Sequence, residues 1–160
     1  MMDTASLISE IQSRPAQTIV CDRILVPIDG SPASMHAVEW AIDLARAADA
    51  ELTILMVIDY DAHISAFEQV SMSGYLPSEL KIAAYRFLAE LMHEIPRSVR
   101  AHTRVVEGDP GEVTVAVAAE EESHLIVMGS RGFGTFERIA FGSVSTYVTH
   151  HAHSPVLLVK

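Results

Sequence analysis

LIVMGSRGFGTFERIAFGSVS, residues 125–145, joins an apolar run, Leu125 to Met128, to a segment that carries four glycines and three serines between Gly129 and Ser145. The run is consistent with a buried strand. Two readings account for the small residues behind it. Bare backbone amides can cradle an anion just past a strand, and a plain surface loop would tolerate the same composition. The flanking chain decides between them.

Upstream, the pattern alternates. Arg23 to Asp29 (RILVPID) is a short apolar run that reads as a strand, with Pro27 near its C-terminal end, where the strand leaves its ladder. Asp29-Gly30-Ser31-Pro32 is a turn into a helix, with Ser31 as cap and Pro32 at the first helical position. Val38, Ala41, Ile42 and Ala45 then recur at helical spacing. Glu51 to Ile58 is a second strand. Asp59 to Tyr75 shows no assignable pattern. Ser78 to Ile95 is helical and stops at Pro96. Arg100 to Glu107 alternates as a half-exposed, peripheral strand would. Asp109-Pro110-Gly111-Glu112 opens a helix that runs on from Glu112 to Glu122. A helix from Ser143 to His151 and a strand from Val156 to Val159 follow the glycine segment. Residues 1–22 form an N-terminal extension with one short helical turn around Ser6 to Gln12, and residues 23–160 form the domain.

Apolar strands alternating with amphipathic helices predict an α/β fold: a mostly parallel sheet with helices on both faces. Ligands of such sheets sit outside the C-terminal strand ends, at the switch point. Attention therefore falls on Asp29-Gly30-Ser31 and on Gly129 onward.

The bulk numbers narrow the function. A chain of 160 residues with 49% apolar and 20% charged residues is long enough for one real core. Its formal net charge of −10, with Lys81 and Lys160 the only lysines, disfavours nucleic acid and anionic membranes as partners. A polyphosphate would have to be held by local devices: main-chain amides, a helix N-terminus, one arginine or a metal ion. No apolar run approaches a membrane span. The N-terminus has no basic region of the signal-peptide kind. A single cysteine, Cys21, excludes an intrachain disulfide, which fits a cytoplasmic protein.

The glycines do not make a Walker A loop, which needs Lys-Ser or Lys-Thr after the last glycine, nor a dinucleotide fingerprint, because Thr135-Phe136-Glu137 follows Gly132-Phe133-Gly134. The parts of a phosphate cradle are still present. Gly129, Gly132 and Gly134 allow close approach and positive φ, Gly142-Ser143 opens a helix, and Ser143 and Ser145 can add hydroxyl donors.

Gly129-x-x-Gly132, nine residues, then Gly142-Ser143 resembles the nucleotide-binding signature of the universal stress protein family. ILVPIDGS, LTILMVID, HLIVMGSRG and GSVSTYVTHHAHSPVLLV extend the resemblance over residues 23–160. It implies a Rossmann-like open parallel five-stranded sheet of order 3-2-1-4-5, with ATP or AMP between the first and fourth strand ends. Carried over by position, Pro27, Ile28 and Asp29 match the segment near the adenosine and Val57 an adenine contact. Met128, Gly129 and Gly132 match the loop beside ribose and phosphates, and Gly142, Ser143 and Val144 the phosphate-binding helix start. A homodimer through the C-terminal strand is also implied. The apolar edge Pro155 to Val159 independently calls for a cover.

Alternatives stand beside several of these readings. Asp29 either contacts ribose or a phosphate-bound Mg²⁺, or closes an Asx turn. Arg131 and Arg138 are solvated charges or phosphate contacts. Phe133 and Phe136 read as loop packing. His150, His151 and His153 lack the cysteine or carboxylate partner a metal site needs. Cys21 has nothing nearby to activate it. Three functions compete with a nucleotide-binding regulator of the stress response, whose regulatory partners the sequence does not name. A slow ATPase or autophosphorylating enzyme would rest on Asp29, Mg²⁺ and water. A phosphoreceiver would need an acidic cluster at the first strand end, where Asp29 stands alone. The third is a nucleotide-free interaction module.

Overall fold

A computed structural model describes residues 3–13, 20–60, 76–132 and 141–160. Its elements in chain order are α1 (Thr4–Ser13), β1 (Arg23–Ile28), α2 (Pro32–Ala48), β2 (Glu51–Ile58), α3 (Leu76–Glu94), β3 (Arg100–Glu107), α4 (Pro110–Glu120), β4 (Leu125–Gly129), α5 (Ser143–His151) and β5 (Val156–Val159). The strands form one parallel sheet of order β3-β2-β1-β4-β5. The expected Rossmann-like architecture is present, with β3 and β5 at its edges.

Side-chain alternation along the strands builds two cores. Ile24, Val26 and Ile28 of β1, with Leu52 and Ile54 of β2, point to one face. There they meet Ala37, Val38, Ala41 and Ala45 of α2 and Leu88 of α3. Leu25 and Leu55 point the other way, joining Ile126 and Met128 of β4, Val117 and Ala118 of α4, and Val148 of α5. The alanines of α2 recur every four residues, which lets that helix lie close to the sheet.

Several boundaries differ from the sequence reading, among them the helix read over Ser78 to Ile95, which runs over Leu76–Glu94. The N-terminal helix runs over Thr4–Ser13, longer than the single turn expected. The helix opened by Asp109-Pro110-Gly111-Glu112 starts at Pro110, in keeping with the capped start read there, and ends at Glu120, short of the expected Glu122. The Asp109 carboxylate accepts the Glu112 amide at 2.9 Å, fixing that start, and Glu122 turns to φ 50°, which ends any helical run. Residues 61–75, most of the stretch without assignable pattern, lie outside the described residues.

Pro27 sits in the central strand, where proline is normally excluded. The ladder explains its tolerance. Glu51 donates to the Asp22 carbonyl and His124 to the Arg23 carbonyl, so even-numbered residues of β1 face β2 and odd-numbered ones face β4. The missing Pro27 N–H is therefore on the β4 side. Pairing with β4 ends at Leu25↔Ile126, while pairing with β2 continues through Pro27↔Leu55 to Ile28↔Met56. The strands part between β1 and β4, at the switch point of the sheet.

Among the described residues, no helix is long and apolar enough to cross a membrane. Leu25 is wholly buried in the β1 position that faces α4 and α5. Its replacement by alanine is expected to cost about 2–5 kcal/mol in urea unfolding. A loss under 1 kcal/mol, as only a freely collapsing site would give, would contradict this packing.

Candidate functional site

The parted strand ends open into a cleft of about 310 Å³. All ten residues singled out by the resemblance line it: Pro27, Ile28, Asp29, Val57, Met128, Gly129, Gly132, Gly142, Ser143 and Val144. Ser34, Pro110, Thr114, Arg131 and Ser145 complete the lining. Val57 belongs to β2 and Gly129 to β4, with β1 between them. Two strand spacings of about 4.8 Å put these walls about 10 Å apart, room for a ligand as long as a nucleoside with its first phosphate.

The two walls differ in chemistry. Pro27, Val57, Pro110 and Met128 present apolar side chains. Gly129, Gly132 and the start of α5 present backbone. The difference at α5 is visible against its neighbours. Ser31 caps α2 by accepting the Ser34 amide at 3.3 Å, and Asp109 caps α4. Gly142 caps α5 with no side chain at all. Its own amide is taken by the Ser130 carbonyl at 2.9 Å, while the amides of Ser143, Val144 and Ser145 have no side-chain cap. First-turn amides without intrahelical partners carry the positive end of the helix dipole, and here they stand in the cleft wall.

Of the two uses expected of these glycines, close approach is met and positive φ is not. Among described residues, positive φ is confined to Gly30 and Gly108 of the glycines, so neither Gly129 nor Gly132 needs it. Gly129 is required by proximity: a Cβ there would lie 2.8 Å from the Ala33 carbonyl carbon and 3.0 Å from the Ser34 amide nitrogen. The end of β4 thus lies directly against the first turn of α2. At Gly132 a Cβ would meet Asp29 Oδ2 at 2.5 Å, so the carboxylate rests against this α-carbon. Gly142 has ordinary space around it, its nearest neighbour being the Arg131 α-carbon at 3.6 Å. Gly134, with Phe133, Phe136 and Arg138, lies outside the described residues.

Hydroxyl roles also separate. Ser145 is 2% exposed, and its hydroxyl reaches the Ser130 carbonyl at 2.9 Å and the Gly142 carbonyl at 3.0 Å. Its one proton is held by the protein, so Ser145 is not the ligand donor it was expected to be. It ties the glycine loop to α5. Ser143 is exposed at the first position of α5. Asp29 does close the Asx turn, its Oδ1 accepting the Ser31 amide at 2.9 Å, while Oδ2 faces the loop at Gly132. Among the described lining residues it is the one acid.

Sequence reasoning missed Pro110, Thr114 and Ser34 as lining residues. The signal for the first two was topological. In a 3-2-1-4-5 sheet the crossover from β3 to β4 passes over β2 and β1, which brings the start of α4 to the crevice. The Thr114 hydroxyl is bonded to the Pro110 carbonyl at 2.6 Å, so it packs the wall as a methyl-bearing group.

Away from the cleft, His151 stacks on Tyr147, ring centroids 4.0 Å apart, and its Nδ1 meets the Tyr147 carbonyl at 2.8 Å. Burial, reinforced by Asp22, pushes the Cys21 thiol up, so it remains protonated at neutral pH.

The family model for the universal stress protein family matches residues 21–160. The chain belongs to the universal stress protein family. The universal stress protein MJ0531 of Methanocaldococcus jannaschii is 32% identical over 151 residues, covering 86% of this chain and 81% of its own. A solved structure of the hypothetical protein MJ0577 superposes with a TM-score of 0.78 at 27% identity, over 89% of this chain and 97% of that one. A universal stress protein solved in complex with cAMP gives a TM-score of 0.63 at 27% identity, over 85% and 94% of the two chains.

The two end glycines of the cradle are expected to behave oppositely in unfolding experiments. Gly129→Ala forces a methyl into the backbone of α2 and is expected to cost about 1–3 kcal/mol. Gly142→Ala, with space for its methyl, is expected to lose no more than about 1 kcal/mol, the difference between glycine and alanine at an N-cap. Equal losses at both positions would contradict the distinction between contact and clearance.

Proposed function

We propose that this protein is an ATP- or AMP-binding regulator of the stress response, and that the cleft between β1 and β4 holds the nucleotide. The observation that carries the reading is the start of α5, whose amides have no side-chain cap and open into the cleft opposite an apolar wall. A phosphate on Ser143, Val144 and Ser145 would complete that helix end. The flat base would lie toward Val57, Pro27 and Met128, and Asp29 would meet the ribose or a Mg²⁺ carried by the phosphates. The cAMP complex of a relative supports an adenine nucleotide as the class of ligand.

A regulatory role is favoured over a slow ATPase or autokinase. Asp29 and Arg131 are the charged residues among the described lining, and Asp29 already accepts the Ser31 amide. No lysine lines the cleft, and Lys81 is paired with Glu107 at 3.0 Å. Efficient phosphoryl transfer needs a placed base and more positive charge than this.

The purified protein is expected to release ATP or AMP in near-stoichiometric amount on denaturation, identified by chromatography and mass. A Gly142→Val/Ser143→Trp double variant is expected to carry none while keeping its circular dichroism spectrum. Absence of nucleotide in the parent, with no binding on addition of ATP and Mg²⁺, would overturn the reading in favour of a nucleotide-free interaction module.

The edge of β5 supports a homodimer as the assembled form. Ile126 donates to the Pro155 carbonyl and Ser130 to the Val159 carbonyl, which turns the alternate backbone groups of Val156 and Leu158 away from β4. An apolar strand with outward unpaired groups is a template for a second copy. Sedimentation at micromolar concentration is expected to give a dimer, and a monomer there would refute the pairing.

A further inference from the structure

The acid–base content of the cleft is small enough to assign. Its backbone wall supplies neutral donors, which suit one phosphate whatever follows it. Each further phosphate adds negative charge inside a chain that already carries −10 and next to the Asp29 carboxylate. Something positive must offset that charge if a polyphosphate is to be held in preference to a monophosphate.

Arg131 is the cation lining the cleft among the described residues. Its α-carbon abuts the N-cap of α5, 3.6 Å from the position a Gly142 Cβ would take, so its side chain starts beside the uncapped amides. It is also uncommitted. Arg23, Arg46, Arg100 and Arg104 each hold a carboxylate, whereas Arg131 makes no ion pair or hydrogen bond among the described residues and is exposed. A guanidinium presents a planar fork of donors that matches phosphate oxygens two at a time.

We propose that Arg131 sets the preference of this cleft for nucleoside polyphosphates over monophosphates, by engaging the phosphate beyond the one seated on the α5 amides. The proposal rests on the nucleotide-binding reading above and adds to it a division of labour. The α5 amides and the glycine loop hold the first phosphate of any nucleotide. Arg131 holds the next.

Calorimetric titration with ATP, AMP and cAMP in excess Mg²⁺ would test this on the parent, Arg131→Gln and Arg131→Lys. The glutamine variant is expected to weaken ATP about tenfold and leave AMP and cAMP within about twofold. The lysine variant, keeping the charge and losing the fork, should recover part of the ATP affinity. Because Arg131 is exposed, both variants should melt with the parent. Equal weakening of ATP and AMP would overturn the proposal, since Arg131 would then be shaping the loop. Unchanged ATP affinity would overturn it too, leaving Arg131 a solvated charge. A parent that binds AMP separates these failures from failure of the nucleotide reading, which would appear as no binding of any of the three.

Discussion

The absent N–H of Pro27 is the constraint from which the site follows. In a central strand it would ordinarily leave a carbonyl of the neighbouring strand unpaired and weaken the sheet. Here the alternation of the ladder puts the missing donor on the β4 side, beyond the last pair between the two strands. The ladder to β2 is untouched, so β1 stays anchored while its end separates from β4. A crevice forms at the point where strand order reverses, with its floor made by the strand ends and its sides by the starts of α2, α4 and α5. Beside that separation lie the uncapped amides of α5 and the contact between Asp29 and the loop at Gly132.

Close approach then shapes the walls. Gly129 brings β4 against the first turn of α2 with no room for a methyl group. Ser145 anchors the loop by bonding the Ser130 carbonyl across fifteen positions of sequence. These contacts fix the loop at both of its described ends, 129–132 and 142–145.

Much of this was legible in the residues. The strands announced themselves as short apolar runs, and the caps at Ser31 and Asp109 were readable because capping is local. The resemblance named ten residues that the fold brings to one cleft, though what they bind is a separate question. What could not be read depends on distant neighbours. Nothing local to Ser145 says that a carbonyl fifteen positions away takes its proton. A glycine letter does not say whether it serves positive φ, as at Gly30, close contact, as at Gly129, or clearance, as at Gly142. Pro110 and Thr114 reach the cleft through a crossover, which sequence patterns encode only through topology. The length of α1 escaped for the opposite reason: weak periodicity gave no signal for its ends.

The bare cap of α5 ties ligation to folding itself. A nine-residue helix is marginal by its own propensity, and a side-chain cap is worth about 1 kcal/mol. An anion on those amides would do that work from outside the covalent chain. The ligand would then count as a structural part whose supply varies with the cell's nucleotide pool. Its arrival would firm the helix that leads directly into β5, so the orderliness of the sheet's outer border would rise and fall with occupancy at its centre.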